Sequence, residues 1–458
     1  MKKQILGIVA ASIMVSGTAF ADEPVMSKFK VTIGGFVKLD YAYNSTNLGQ
    51  SGTLAPGSGA IPRTSSIAGQ SDQSEFTARQ SRLWLKVNGP ELYGAKTSAL
   101  IEGDFYGDFA AAAESPQFRM RLAYGAIDWT NTQILFGQAY EIFGPMIAST
   151  VDFRSGAAWG TPNTPRVPQV RLTQKYNFGD NTLKLMVGAQ NPGQNNWDQQ
   201  YPYTGAGYVG TTLVNNALLN YPYTSSGAVN GAGQIMFESK VLGVSPGYYG
   251  LSMKPLTLGV FGLYGNQSYN RSTTLGTITD ESFKSWGVGF YSFVPILRSS
   301  DGKGRAGSAS FEGQVYEAAN MTFDTATNQG IINTGTSTNP VYNSAKGIGL
   351  GAQLIVYPTQ ELGITAGYGR RQVLNNFNYR NTANYQTYNE NFYINLAYDF
   401  NAAIRLAGEY QYLRTNYGNP WGAYNPLTGK LVLDSVTAKP NSDFGQSNTF
   451  RVAAYYFF

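Results

Sequence analysis

Apolar and polar residues alternate with a period of two along most of this chain. Near its start one parity is apolar and comprises Phe29, Val31, Ile33, Gly35, Val37, Leu39, Tyr41 and Tyr43. The intervening parity is mainly polar, with Lys30, Thr32, Gly34, Phe36, Lys38 and Asp40. The final residues repeat the apolar parity with Phe450, Val452, Ala454, Tyr456 and Phe458. Such alternation predicts β-strands whose two faces meet different environments.

Continued along the chain, the pattern predicts about sixteen strands. They lie near 29–43, 76–87, 95–106, 117–129, 132–140, 168–178, 182–190, 234–241, 256–265, 283–294, 308–317, 347–357, 362–371, 388–400, 402–413 and 446–458. Short turns alternate with long connections rich in Gly, Ser, Thr and Asn. The long connections are 44–75, 107–116, 141–167, 191–233, 266–282, 318–346, 372–387 and 414–445.

These features together predict the fold class. Strands of about ten residues with aromatic ends suit tilted membrane-spanning strands, whereas a spanning helix needs roughly twenty consecutive apolar residues. No segment after the N-terminus has such a run. We therefore predict an all-β protein, a transmembrane antiparallel β-barrel of about sixteen strands with short periplasmic turns and long extracellular loops. An even strand number places both termini at the short-turn rim.

The N-terminus has the pattern of an export signal. Lys2 and Lys3 precede an apolar stretch that ends before Ala19-Phe20-Ala21, which has the small-x-small form of a signal-peptidase site. We predict that residues 1–21 are a signal peptide that is removed and that residues 22–458 form a single barrel domain. A retained membrane anchor is the alternative. Removing two lysines leaves 31 basic and 28 acidic residues, a net charge of +3.

Composition excludes several kinds of chemistry. The 458 residues include no His and no Cys, and only 13% are charged. A Ser-His-Asp triad, a Cys nucleophile and a His/Cys zinc site are therefore impossible. The sequence predicts no enzyme, no cofactor and no metal site. Aromatic residues, 14% of the chain, are expected mainly in interfacial girdles rather than as a platform for nucleic acid.

Several motifs resemble the sixteen-stranded trimeric porin superfamily of Gram-negative outer membranes. They are Gly34-Gly35-Phe36-Val37-Lys38-Leu39-Asp40-Tyr41, Ala78-Arg79-Gln80-Ser81-Arg82-Leu83, Ile101-Glu102-Gly103-Asp104-Phe105, Leu122-Ala123-Tyr124-Gly125 and Leu135-Phe136-Gly137-Gln138. The C-terminal strand, with Tyr456 and Phe458, resembles the superfamily's barrel-assembly signal. The N-terminal half looks most like DcaP-type dicarboxylate porins, and phosphate-selective O/P-type porins are the next choice.

The resemblance carries expectations about location, partners and function. It implies a homotrimer in the outer membrane, in contact with lipid and lipopolysaccharide, that depends on the barrel-assembly machinery. It also implies a water-filled channel for passive diffusion of small anionic or neutral solutes. A non-transport barrel that serves adhesion or acts as a scaffold is the alternative.

The resemblance also singles out the third long loop. In the superfamily this loop follows strand five and folds into the channel. Here it runs from Glu141 to Val167 and contains Asp152 and Arg154. By composition alone it could equally be an external loop.

Charge on the predicted lumenal parity is uneven. The first seven strands carry ten basic residues there: Lys30, Lys38, Arg82, Lys86, Lys96, Arg119, Arg121, Arg171, Lys175 and Lys184. Only Asp40, Glu102 and Asp104 oppose them, whereas later strands are balanced. Since rows of charge select ions in a pore, we predict anion selectivity from Arg82, Arg119, Arg121, Arg171 and Lys38. The alternative is that these side chains only solvate the interior and pair with Glu102 and Asp104.

Overall fold

A computed structural model gives the structure of the chain. It describes residues 29–48, 61–107, 116–153, 166–191, 206–209, 212–215, 229–274, 277–319, 331–333, 342–344, 346–374, 386–417 and 444–458. The predicted signal peptide and Arg154 lie outside these residues. The strands are β1 (Lys30–Asn44), β2 (Gln73–Thr77), β3 (Arg82–Asn88), β4 (Lys96–Asp104), β5 (Arg119–Asp128), β6 (Thr132–Tyr140), β7 (Arg166–Phe178), β8 (Asn181–Gln190), β9 (Ala206–Val209), β10 (Thr212–Asn215), β11 (Asn230–Pro246), β12 (Met253–Thr274), β13 (Thr277–Leu297), β14 (Ser308–Ala319), β15 (Ile331–Asn333), β16 (Tyr342–Ser344), β17 (Lys346–Tyr357), β18 (Leu362–Val373), β19 (Gln386–Asp399), β20 (Ile404–Tyr417) and β21 (Phe444–Phe457).

Seventeen of the strands form one antiparallel sheet that closes on itself. β1 pairs with β21 from Phe36↔Phe457 to Asn44↔Thr449, and this pairing joins the first strand to the last. On its other edge β1 pairs with β3 and then with β2, so β2 and β3 form one interrupted barrel strand. The barrel is therefore sixteen-stranded, which confirms the predicted fold class.

The two faces of the wall differ as the alternation predicts. On β1, Val37 and Leu39 are exposed on the outside, whereas Lys38 and Asp40 are buried inside. On β21, Val452 is exposed and Arg451 is buried. An apolar outer face lowers the free energy of a strand in lipid, and the closed ladder pairs the backbone groups of neighbouring strands. Within the described part of the chain, no helix is long and apolar enough to cross a membrane.

The structure differs from the predicted elements in three places. The second predicted strand, 76–87, is broken at residues 78–81. The predicted loop 266–282 is largely strand, because β12 and β13 continue pairing as far as Thr274↔Thr277. Two small hairpins, β9–β10 and β15–β16, lie within the fourth and sixth long connections.

The third long loop folds into the barrel, as predicted, in the part that is described, residues 141–153. Ile142, Phe143 and Met146 form an internal apolar core with the inner faces of β11 to β14. The wall contributes Ala232, Met236, Phe261, Leu263, Tyr291, Phe293, Tyr316 and Ala318. In this half of the barrel, side chains therefore fill the lumen beside the wall.

Candidate functional site in the barrel interior

A series of amide and carboxylate side chains fixes the third loop to the inner wall. Gln314 of β14 accepts the Met146 N–H at 3.1 Å, and Gln353 of β17 accepts the Ser149 N–H at 2.8 Å. Gln190 accepts the Ile142 N–H and donates to Glu141 Oε1. Side-chain amides also donate to loop carbonyl groups, from Gln234 to Ile142, from Gln353 to Ile147 and from Asn395 to Ser149. Glu409 accepts the Val151 N–H. A loop buried inside a barrel needs partners for its backbone groups. These side chains supply them strand by strand.

The far end of the described loop is held by buried charges. Asp152 accepts a 2.7 Å hydrogen bond from Gln80 Nε2 and pairs with Arg451 at 3.4 Å. Lys38 Nζ donates to the Val151 carbonyl at 2.6 Å and pairs with Asp40 at 2.8 Å. The sequence predicts that Lys38 lines the pore. In the structure its side chain is instead 0% exposed and lies beneath the third loop. Its contacts make it a positioning residue for the third loop.

Three of the predicted arginines meet both predicted lumenal acids on β3, β4 and β5. Arg119 binds Asp104 through two parallel 2.9 Å hydrogen bonds. Arg121 reaches Glu102 and Asp104, each at 2.7 Å. Arg82 lies 3.6 Å from Glu102. The pairing of arginines with acids, which the sequence analysis gives as the alternative to anion selectivity, is therefore present, and three guanidinium groups share two carboxylates.

A β-bulge makes this density of charge possible. The register between β4 and β5 shifts between Glu102 and Gly103, so Arg121 has no single residue opposite it. Such a bulge sets two residues of one strand against one of its neighbour. After the shift, Leu122 and Ala126 face inward and are buried. Arg121 can thus reach carboxylates two positions apart on β4.

A fourth arginine, which is not among the residues predicted from the sequence, belongs to the same region. Arg166 opens β7 opposite Tyr140. It lies within electrostatic range of Arg119, Arg121 and Asp104. The sixth predicted strand begins at residue 168, which places Arg166 in the predicted third loop. We define the arginine wall as Arg82, Arg119, Arg121, Arg166 and Arg171.

Arg171 lies apart from the ion pairs. It projects from β7 into a cavity of about 450 Å³ that β3 to β7 surround. Trp84, Lys86, Leu100 and Tyr124 contribute to its lining. Among the described residues, Arg171 forms no ion pair and its Nε has no hydrogen-bond partner. The Nε atom is itself buried, so the outer nitrogens of the guanidinium group are the ones that can meet a solute in this cavity.

The predicted assembly residues lie at the seam where the barrel closes. Phe458 exchanges backbone hydrogen bonds of 3.0 and 3.1 Å with Gly35 of the first strand. Tyr456 and Phe458 are exposed on the outer face. Their role in assembly stays a prediction. The described residues contain no group of acidic side chains suited to a metal ion.

Comparison with known proteins identifies the fold. No protein-family model matches the sequence, and no curated protein matches it. Among solved structures, the outer membrane channel DcaP of Acinetobacter baumannii has a TM-score of 0.61 at 18% identity, over 94% of this chain and 98% of that one. An anion-selective porin from Comamonas acidovorans has a TM-score of 0.51 at 11% identity, over 94% of this chain and 100% of that one. The chain has the β-barrel fold of outer-membrane porins.

Proposed function

We propose that this protein is an outer-membrane porin, a water-filled channel for passive diffusion of small hydrophilic solutes that favours anions. The observation that carries the proposal is the division of the inner wall. The third loop contacts the wall from β8 round to β1. The cavity lies against β3 to β7, which also carry the arginine wall.

The charge on the arginine wall supports a preference for anions. Among the described residues, Arg82, Arg119 and Arg121 form ion pairs with Glu102 and Asp104, and Arg166 and Arg171 add two further positive charges. A charged wall of low dielectric focuses its field into the aqueous lumen and raises the local concentration of counter-ions. Small anions therefore enter more readily than cations of the same size.

The geometry suits carboxylate or phosphate oxygens. A guanidinium group presents paired N–H donors to such groups, whereas an ammonium acts as a point charge. Arg171 offers such donors without competition from a protein carboxylate among the described residues. Small dicarboxylates and phosphate are thus the proposed solutes. The anion-selective porin among the structural neighbours is consistent with this class.

The proposal includes an assembly and a setting. We infer a homotrimer in lipid and lipopolysaccharide of the outer membrane, exported by the predicted signal peptide and inserted by the barrel-assembly machinery. An adhesion or scaffold barrel is the alternative, and it requires no conductance.

Planar-bilayer recording tests the channel and its selectivity together. The purified protein should give stable conductance steps, and its reversal potential in a potassium chloride gradient should show chloride preferred over potassium. Replacing Arg171 with Gln should shift the reversal potential toward cations, because it removes a charge without leaving a buried carboxylate unpaired.

The matched control is Arg298→Gln, which removes an exposed arginine from the β13–β14 turn at the short-turn rim. It should leave the reversal potential close to the wild-type value. Absence of conductance would favour the adhesion or scaffold alternative. A cation-selective wild-type channel would refute the proposed anion preference while leaving the porin function intact.

A further inference from the structure

One connection at the short-turn rim, the β11–β12 turn, folds into the barrel. Tyr249 donates its backbone N–H to Ser149 Oγ of the third loop at 3.4 Å. The rings of Tyr249 and Phe153 meet edge to face with centroids 5.6 Å apart. Phe153 in turn contacts Phe36 of β1 and Tyr455 of β21. Since β11 and β12 are the eighth and ninth barrel strands, this turn is connected through Phe153 to the wall opposite its own.

The inward conformation is fixed by backbone geometry and by close contacts. Tyr249 has a φ of 49° and Gly250 a φ of 68°. Gly250 lies so near the wall that an added Cβ would be 2.4 Å from the Tyr357 hydroxyl. A positive φ at a non-glycine residue is uncommon and persists where the surroundings hold it. Here those surroundings are the third loop and β17.

A second turn shows that the local backbone alone does not cause the inward fold. The β3–β4 turn has the same order of conformations, with Tyr93 at a φ of 48° and Gly94 at 74°. Tyr93 is nevertheless 85% exposed, and an added Cβ at Gly94 would meet nothing within 4 Å. The two turns differ in what surrounds them, so the Tyr93 turn is a matched control.

Tyr248 is the residue of this turn that approaches the arginine wall. It lies within electrostatic range of Arg82, Arg121 and Glu102, and its ring stacks edge-on against Tyr249 at 4.3 Å. Burial raises the pKa of the Tyr248 hydroxyl above its ordinary value, so the group stays neutral. Tyr248 therefore adds bulk opposite the arginine wall and adds no charge.

We infer that the turn at residues 247–252 is a second constricting element beside the third loop, and that Tyr248 sets the size of solute that passes the arginine wall. The inference rests on the proposed porin function. The third loop occupies one side of the lumen, and Tyr248 bounds the passage from the short-turn rim. The arginines determine which charge is favoured, and Tyr248 determines how much room remains beside them.

Single-channel conductance of four variants tests this role. Tyr248→Ala should raise conductance by roughly one and a half-fold or more, because removing a ring widens the narrowest part of a pore. Tyr248→Trp should lower it, whereas Tyr248→Phe should retain the wild-type value because it keeps the ring. Tyr93→Ala removes a tyrosine from the equivalent exposed turn and should change nothing. The Trp and Phe variants keep an aromatic ring and guard against a folding defect in the Ala variant.

Two further readouts separate a size role from a general structural one. In liposome swelling, neutral sugars of increasing size should enter faster through Tyr248→Ala than through wild type, with the largest gain for the largest sugar. The reversal potential should stay at the wild-type value, since no charge changes. Wild-type conductance and sugar discrimination in both Tyr248→Ala and Tyr248→Trp would overturn the inference. Absence of conductance in the wild type would instead refute the proposed function.

Discussion

Gly34 has no side chain, and this leaves room for Trp84, the largest residue that lines the cavity beside Arg171. Gly34 of β1 faces the lumen, and a Cβ added there would lie 2.1 Å from the Trp84 ring. Trp84 lines the cavity into which Arg171 projects. The ring can lie against the wall only because the neighbouring strand has no side chain at that position. Both glycines of the Gly34-Gly35 pair are closely packed, since a Cβ added at Gly35 would lie 2.2 Å from the Arg82 carbonyl oxygen.

Gly34→Ala should therefore destabilise the barrel and displace Trp84. Forcing a methyl group into a filled site costs about 1–3 kcal/mol. Urea unfolding in detergent micelles, followed by tryptophan fluorescence, would measure the change. Gly408→Ala on β20 is the control, because an added Cβ there meets nothing within 4 Å. Equal urea concentrations at the unfolding midpoint of the two variants would contradict the proposed fit between Gly34 and Trp84.

At the scale of elements, one acidic residue of the wall holds two consecutive backbone N–H groups of the third loop. Glu409 of β20 accepts the Val151 N–H at 2.6 Å and the Asp152 N–H at 3.4 Å. It also accepts hydrogen bonds from Asn395 at 3.2 Å and Gln411 at 2.7 Å. Its carboxylate thus holds the loop and joins two neighbouring strands.

Glu409→Ala should loosen the loop without opening the barrel. It leaves buried backbone donors without an acceptor, and each such group costs about 1–3 kcal/mol. We expect more current noise and more frequent transitions between conductance levels in planar bilayers. Glu390→Ala, which removes a carboxylate paired with Arg370 on β18, should behave as wild type. A quiet Glu409→Ala channel would show that the other wall contacts suffice.

The sequence predicts the strands and the closed barrel because period-two alternation directly reflects a wall between lipid and lumen. It does not predict which inner surfaces are covered. β12 carries apolar residues on both parities, with Leu258 and Val260 outside and Phe261 and Leu263 inside. This double pattern is the signal for the internal core. The bulge at Arg121 and the inward turn at Tyr249 depend on contacts between distant segments, which no local pattern contains.

At the scale of the whole molecule, the largest apolar core and the arginine wall lie on different strands of the inner wall. The apolar core lies against β11 to β14, and the arginine wall lies on β3 to β7. A molecule whose net charge is small can therefore present a strongly basic surface to the channel. Net charge alone says little about what passes.

Anion preference should consequently weaken as salt concentration rises. The Debye length is about 10 Å at 0.1 M salt and about 3 Å at 1 M, so concentrated salt screens the arginine wall. Reversal potentials measured at a fixed tenfold gradient and increasing mean concentration should approach the value expected for a channel without ion selectivity. A preference independent of salt would indicate selection by direct binding rather than by the field of the wall.

The position of the third loop has a consequence for the order of assembly. Val151 finds its acceptor 258 positions later in the chain, and Asp152 pairs with Arg451 on the final strand. Contacts between residues so far apart form late, because long segments of chain must first be brought together. The loop cannot reach its final place until β21 has joined β1. A newly closed cylinder is therefore wide at first, and its narrow passage is the last part to mature.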